Sequence, residues 1–341
     1  MSSTKPSAHR HSSSIDAVKT DNVNLERSSE TAEALATRDY YTRYPNNWAR
    51  IRELIREPAA EMLGTMILTL FGTAGNCQVV LSANTGVASS PKGDYLSLAI
   101  GWACGVGLGA WVSGGISGGH VNPVITVCSA IFRDFPWRKV PGYVLGQLIG
   151  AWLGAIIVFG NYFHAIDIVE GGKGIRTLKT GSLFGTFTLD YMPAANSFFD
   201  EFIGAFILLL VVFAVTDKRN AIPAGFVPLI VFLTILGIAT SFGMQTGFAI
   251  NPARDLGPRI MTAMVGYGRQ VFNYRSQYWI WSPILGSFSG GVVACFIYDV
   301  FIYLGPESPI NYPNETARRH IAHSKSVEGT LPSGSQDVQE V

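Results

Sequence analysis

Charge is what this 341-residue chain has least of: Asp, Glu, Lys and Arg make up 14% of it against 48% hydrophobic residues, and the formal net charge is +1. So sparse and balanced a charge excludes a fully solvated surface, and without an extended basic face it leaves no nucleic-acid partner. Cysteine is scarce as well. Cys77, Cys104, Cys128 and Cys295 lie in apolar stretches without the spacing of a metal site or a disulfide framework, so free packed thiols are expected, with no metal and no cofactor. Met1 to Pro58 holds no continuous apolar run of the signal-peptide kind, so no cleaved leader is expected and the first span must act as the insertion signal. No nucleophile, base and orienting group converge, which leaves no case for an enzyme.

Long apolar runs are what the chain does have. A hydrocarbon core of about 30 Å takes roughly 20 helical residues to cross. Six runs qualify, from about Ala59 to Leu81, Leu96 to Ile116, Val140 to Phe163, Phe198 to Val215, Ile222 to Phe242 and Tyr278 to Leu304. Two shorter apolar pieces, Asn122 to Phe132 and Asn251 to Val265, follow the second and fifth runs. Neither can cross alone, and broken helices at membrane depth survive where they are buried in protein or line a cavity.

Each short piece is preceded by a Gly-containing string that runs into Asn-Pro: Ser117-Gly118-Gly119-His120-Val121-Asn122-Pro123-Val124 and Thr246-Gly247-Phe248-Ala249-Ile250-Asn251-Pro252-Ala253-Arg254-Asp255. Asn is a strong N-cap and Pro suits the first helical position, so each piece reads as a helix starting at Asn, its dipole and unpaired N–H groups aimed at whatever lies at that depth. Glu61-Met62-Leu63-Gly64 opens the first run and Glu201-Phe202-Ile203-Gly204 the fourth, which exposes an internal repeat. Three spans per half is an odd number, so the halves enter the membrane in opposite senses, as in transport proteins with central binding sites. Glu61 and Glu201, one per half, are then expected to brace the N–H groups of the two Gly-rich loops.

Gly101, Gly105 and Gly109, and Gly142, Gly146, Gly150 and Gly154, form stripes that predict close helix packing. Basic residues before the first and third runs, after the fourth and beyond the sixth put both termini on the cytoplasmic side. Polar composition divides the chain into a disordered cytoplasmic tail (1–45), a membrane-spanning domain (46–310) and a second disordered cytoplasmic tail (311–341).

Paired Asn-Pro half helices, the two Glu positions and Asn251-Pro252-Ala253-Arg254-Asp255 together resemble the aquaporin family over about Glu57 to Leu304. Asp255 directly after Arg254, Arg259, and Pro283-Ile284 resemble its glycerol-conducting branch, the aquaglyceroporins. The first tripeptide departs from the family, with Val124 where Ala is usual. The resemblance implies an all-α membrane protein with six transmembrane helices, two re-entrant half helices and an inverted 3+3 repeat. It implies a passive channel for glycerol, other small neutral solutes and water that excludes protons and ions, the alternative being a strictly water-selective channel. A homotetramer in membrane lipid, in the plasma membrane, is implied with it. Carried over by position, Trp102, Ala239, Phe248 and Arg254 form the selectivity filter, Asn122 and Asn251 the midplane donors, and backbone carbonyls of Gly118, Gly119, His120, Val121, Gly247 and Ala249 the acceptor ladder. Asp255 joins Glu61 and Glu201 as a loop brace.

Overall fold

The computed structural model describes residues 43–328, and among them no residue is in a strand. Among the described residues nine helices have ten residues or more, in chain order α1 (Asn47–Ser82), α2 (Tyr95–Ser117), α3 (Pro123–Phe132), α4 (Val140–Glu170), α5 (Ala194–Thr216), α6 (Val227–Thr246), α7 (Pro252–Thr262), α8 (Leu285–Phe301) and α9 (Glu315–Glu328). Six stretches among the described residues, centred on α1, α2, α4, α5, α6 and α8, are long and apolar enough to cross a membrane. The short α3 and α7 begin at the two Asn-Pro dipeptides.

Compact units divide after Arg56. In the first, the Asn46 side chain accepts from the Ala49 N–H at 2.8 Å, and Arg43 pairs with Glu53 at 3.1 Å. The cap and the helix-favouring charged residues that follow start α1 at Asn47 instead of near Ala59, a beginning that hydropathy alone does not register.

In the second unit, glycine decides how closely helices approach. A Cβ added to Gly150 of α4 would stand 2.1 Å from the Met62 carbonyl oxygen of α1, and one on Gly290 of α8 would stand 2.0 Å from the Phe202 carbonyl oxygen of α5. Met62 and Phe202 follow the two repeated glutamates, so the same contact recurs in both halves. The α2 stripe meets the other side of α1, where a Cβ on Gly109 would lie 2.3 Å from the Gly64 carbonyl oxygen. Helix α1 is thus gripped from both sides at backbone distance.

Boundaries shift where local chemistry overrides hydropathy. Helix α4 continues past Phe163 to Glu170 and stops at Gly171 in the left-handed conformation. The last span opens with a π-turn, Ile280–Ile284, around Pro283, whose missing N–H cannot serve an α-turn. Part of the second tail, expected to be disordered, is the helix α9, where the Asn314 side chain accepts from the Ala317 N–H at 2.9 Å and Arg319 pairs with Glu315 one turn earlier. These local contacts satisfy the first turn in a segment whose composition shows no apolar periodicity. The tail residues 1–42 and 329–341 lie outside the described residues.

Candidate functional site

The two Asn-Pro helix starts meet head to head. The Asn122 side-chain oxygen accepts from the Val124 N–H at 2.9 Å, and that of Asn251 accepts from the Ala253 and Arg254 N–H groups at 3.0 and 3.2 Å. Each side-chain amide then donates across to the other loop: Asn122 Nδ2 to the Ile250 carbonyl at 3.0 Å, and Asn251 Nδ2 to the Val121 carbonyl at 2.7 Å. One of the two protons on each amide is spent in this crossed pair, which leaves the other for the cavity that both residues line.

Val121 and Ile250, whose carbonyls accept these bonds, have φ of 44° and 41°. A β-branched residue in the left-handed region costs about 1–3 kcal/mol and persists where its surroundings over-determine it. Two buried carboxylates supply that constraint. Glu61 accepts from the His120 N–H at 3.0 Å and the Val121 N–H at 2.7 Å, and also from Ser117 Oγ at 2.5 Å and Gln147 Nε2 at 2.7 Å. Glu201 accepts from the Ala249 N–H at 2.9 Å and the Ile250 N–H at 2.6 Å. Both glutamates are fully buried, and each meets backbone donors that no helix could satisfy.

Beyond this meeting point stands Arg254, 5% exposed. Its Cζ lies 3.9 Å from the centre of the Trp102 ring and 6.0 Å from that of Phe248, and the two rings meet edge to face at 6.2 Å and 81°. Arg254 Nη2 donates to the Gly247 carbonyl at 3.3 Å, while Nη1 is buried without a protein partner. Trp102, Phe248 and Arg254 all line the same cavity. The result is two aromatic faces beside a cation with an uncommitted N–H group, fit to hold a short chain that is apolar on one side and hydroxylated on the other.

Other expected positions distribute as follows. Ala239 is fully buried in the same apolar cluster as Trp102 and Phe248 but does not line the cavity, and its carbonyl accepts from Tyr95 Oη at 3.0 Å. Gly119, His120, Val121 and Ala249 line the cavity, whereas Gly118 lines a second, more open one that shares Gly119, His120 and Ile125 with it. Of the carbonyl acceptors, Val121 already takes the Asn251 amide and Gly247 already takes Arg254. His120 Nδ1 lies 3.1 Å from Thr126 Oγ1, with its ring against Phe135 and Tyr143.

Asp255 does not face the cavity. Its carboxylate accepts from the Thr186 N–H and Oγ1, both at 2.7 Å, and from Arg259 Nε and Nη2, both at 2.9 Å; Arg259 also donates to the carbonyls of Thr186 and Val271. This pair ties the half helix carrying Arg254 to the loop before α5. Sequence reasoning missed Thr186 and Gln147, as well as Asn76, which joins Trp102 to the same loop. No local pattern marks them, because each partner is far away along the chain.

Residues 48–298 match the family described as Major intrinsic protein, and the chain belongs to that family. It is 58% identical over 271 residues to Aquaporin-6 of Laccaria bicolor, which covers 79% of this chain and 87% of that one. It is 46% identical over 272 residues to the Aquaglycerol porin AQY3 of Saccharomyces cerevisiae, covering 80% of this chain and 41% of that one. Among solved structures, the aquaglyceroporin from Plasmodium falciparum superposes with a TM-score of 0.64 at 32% identity, over 73% of this chain and 96% of that one. The protein is accordingly an integral, multi-pass membrane protein of a channel family and not an enzyme.

Proposed function

We propose that the chain is a passive channel for glycerol, similar small uncharged solutes and water, with Trp102, Ala239, Phe248 and Arg254 as its filter. The observation that carries this reading is the Arg254 guanidinium, whose Nη1 is buried without a protein partner in a side chain that lines one cavity with Trp102 and Phe248. A polyol can give its hydroxyls to Arg254 and nearby carbonyls while its carbons lie on the rings. Ala239, buried beside Trp102 and Phe248 just behind the cavity wall, is small, and a bulkier side chain there would push into the opening. Asn122 and Asn251 act as midplane donors, so a water held there accepts from both and donates outward in each direction, which breaks a proton chain. Two facing helix N-termini and Arg254 raise an electrostatic barrier to cations. Glu61, Glu201 and Asp255 serve as braces. Relatives named for water and for glycerol conduction support the reading. A homotetramer in the plasma membrane, with both termini cytoplasmic, belongs to the same proposal.

Stopped-flow light scattering of proteoliposomes tests it. Shrinkage under a glycerol gradient should be followed by fast reswelling that a protonophore leaves unchanged. Rapid water flux without glycerol reswelling would indicate strict water selectivity, and loss of glycerol flux with the protonophore would indicate coupling to protons.

A further inference from the structure

We propose that Gly72 and Asn76 of α1 seat Trp102 in its filter pose and thereby set glycerol access, an inference that rests on the conduction reading above. The two positions are one helical turn apart and share a face. A Cβ at Gly72 would stand 2.1 to 2.3 Å from three ring atoms of Trp102, so any side chain there pushes the indole off α1 and toward Arg254. One turn on, Asn76 Oδ1 accepts the Trp102 Nε1–H at 3.0 Å, while Asn76 Nδ2 donates to the Leu183 carbonyl at 3.0 Å. The Leu183 bond fixes which end of the amide faces the indole.

Asn76 therefore decides what Trp102 shows to a solute. With its N–H spent on α1, the indole offers an apolar face beside Arg254 and an edge contact to Phe248, and hydroxyl binding falls to Arg254. Trp102 is 2% exposed, so a released N–H has little water to turn to and the ring must rotate to find an acceptor. Rotation brings a donor into the apolar corner and moves ring atoms into the opening. Water, being smaller and polar throughout, tolerates this better than a polyol. Asn76 acts through Trp102 as a positioning residue. It also joins the filter to the loop that holds Asp255 through Thr186.

In proteoliposomes of the full chain, Asn76→Leu is expected to lower the glycerol-to-water permeability ratio about tenfold, equivalent to about 1.4 kcal/mol between the two barriers. Asn76→Asp keeps the acceptor for the indole N–H but loses the donor to the Leu183 carbonyl, so it should retain clearly more of the ratio than Asn76→Leu. On a Trp102→Phe background, which has no indole N–H and a smaller ring, Asn76→Leu and Gly72→Ala should produce little further change, whereas Gly72→Ala alone should lower the ratio. Hydrogen exchange of the Trp102 indole N–H, followed by NMR in detergent, reads the seat without any flux. It should be slow in wild type and Asn76→Asp and fast in Asn76→Leu. Equal effects of Asn76→Leu with and without Trp102, or an indole N–H equally protected in Asn76→Leu, would overturn the seat. Absence of glycerol flux in wild type with the exchange pattern intact would instead overturn the conduction reading and leave the seat standing.

Discussion

Val124 occupies the position where the sequence departs from its family, and its surroundings explain how it fits. A Cβ on Gly291 of α8 would lie 2.4 Å from Val124 Cγ1, so the larger residue on the half helix is matched by a missing side chain opposite. Gly291→Ala should therefore destabilise the protein by about 1–3 kcal/mol through overpacking, and Val124→Ala should restore most of the loss. Thermal unfolding of the two single variants and the double variant in detergent checks this, and additive losses would refute it. At the brace, Glu201→Gln turns one acceptor into a donor facing the Ala249 or Ile250 N–H, leaving a buried donor unmet at about 1–3 kcal/mol. A lower Tm with parallel losses of water and glycerol flux is expected; an unchanged Tm would count against the brace. Among single residues, Arg254, the two Asn and the two Glu were legible because they stand in short strings or in a repeat. Asn76 and Thr186 were not, since what matters about them is an indole on another helix and a carboxylate 69 positions away.

Helices were legible where hydropathy governs and less so where capping or backbone proximity does. The glycine stripe of α4 predicted a close contact but not its partner, which is the backbone of α1 at Pro58, Met62 and Met66. Charged turns at the start of α1 and the glycine stop of α4 extended both helices beyond the apolar window. Packing contrast along one helix gives a test. Gly150 lies against backbone, whereas a Cβ on Gly160 of the same helix would meet nothing within 4 Å. Gly150→Val should lower stability at the upper end of the ~1–3 kcal/mol range for overpacking, and Gly160→Val should do little beyond its propensity effect. Similar losses from both would mean that helix proximity is not what the stripe provides.

Seen at the scale of the channel unit from Glu57 onward, the two halves pack helix against helix and are also crossed by hydrogen bonds, where each half helix start donates to the other loop and each loop hangs from the glutamate of its own half. That reciprocity holds two strained backbones in place and stacks the aromatic and cationic groups above them. Six spans and two half helices followed from the pattern of apolar runs. The crossed amide bonds did not, because they depend on how two loops pack in space. Selectivity is the property this arrangement should determine, and exchanging the filter side chains measures it most directly. In proteoliposomes, Ala239→His with Phe248→Thr narrows the opening and removes one aromatic face, so glycerol flux should fall well below wild type while water flux falls much less. Equal losses of glycerol and water in the double variant would contradict the assignment of Trp102, Ala239, Phe248 and Arg254 as the filter.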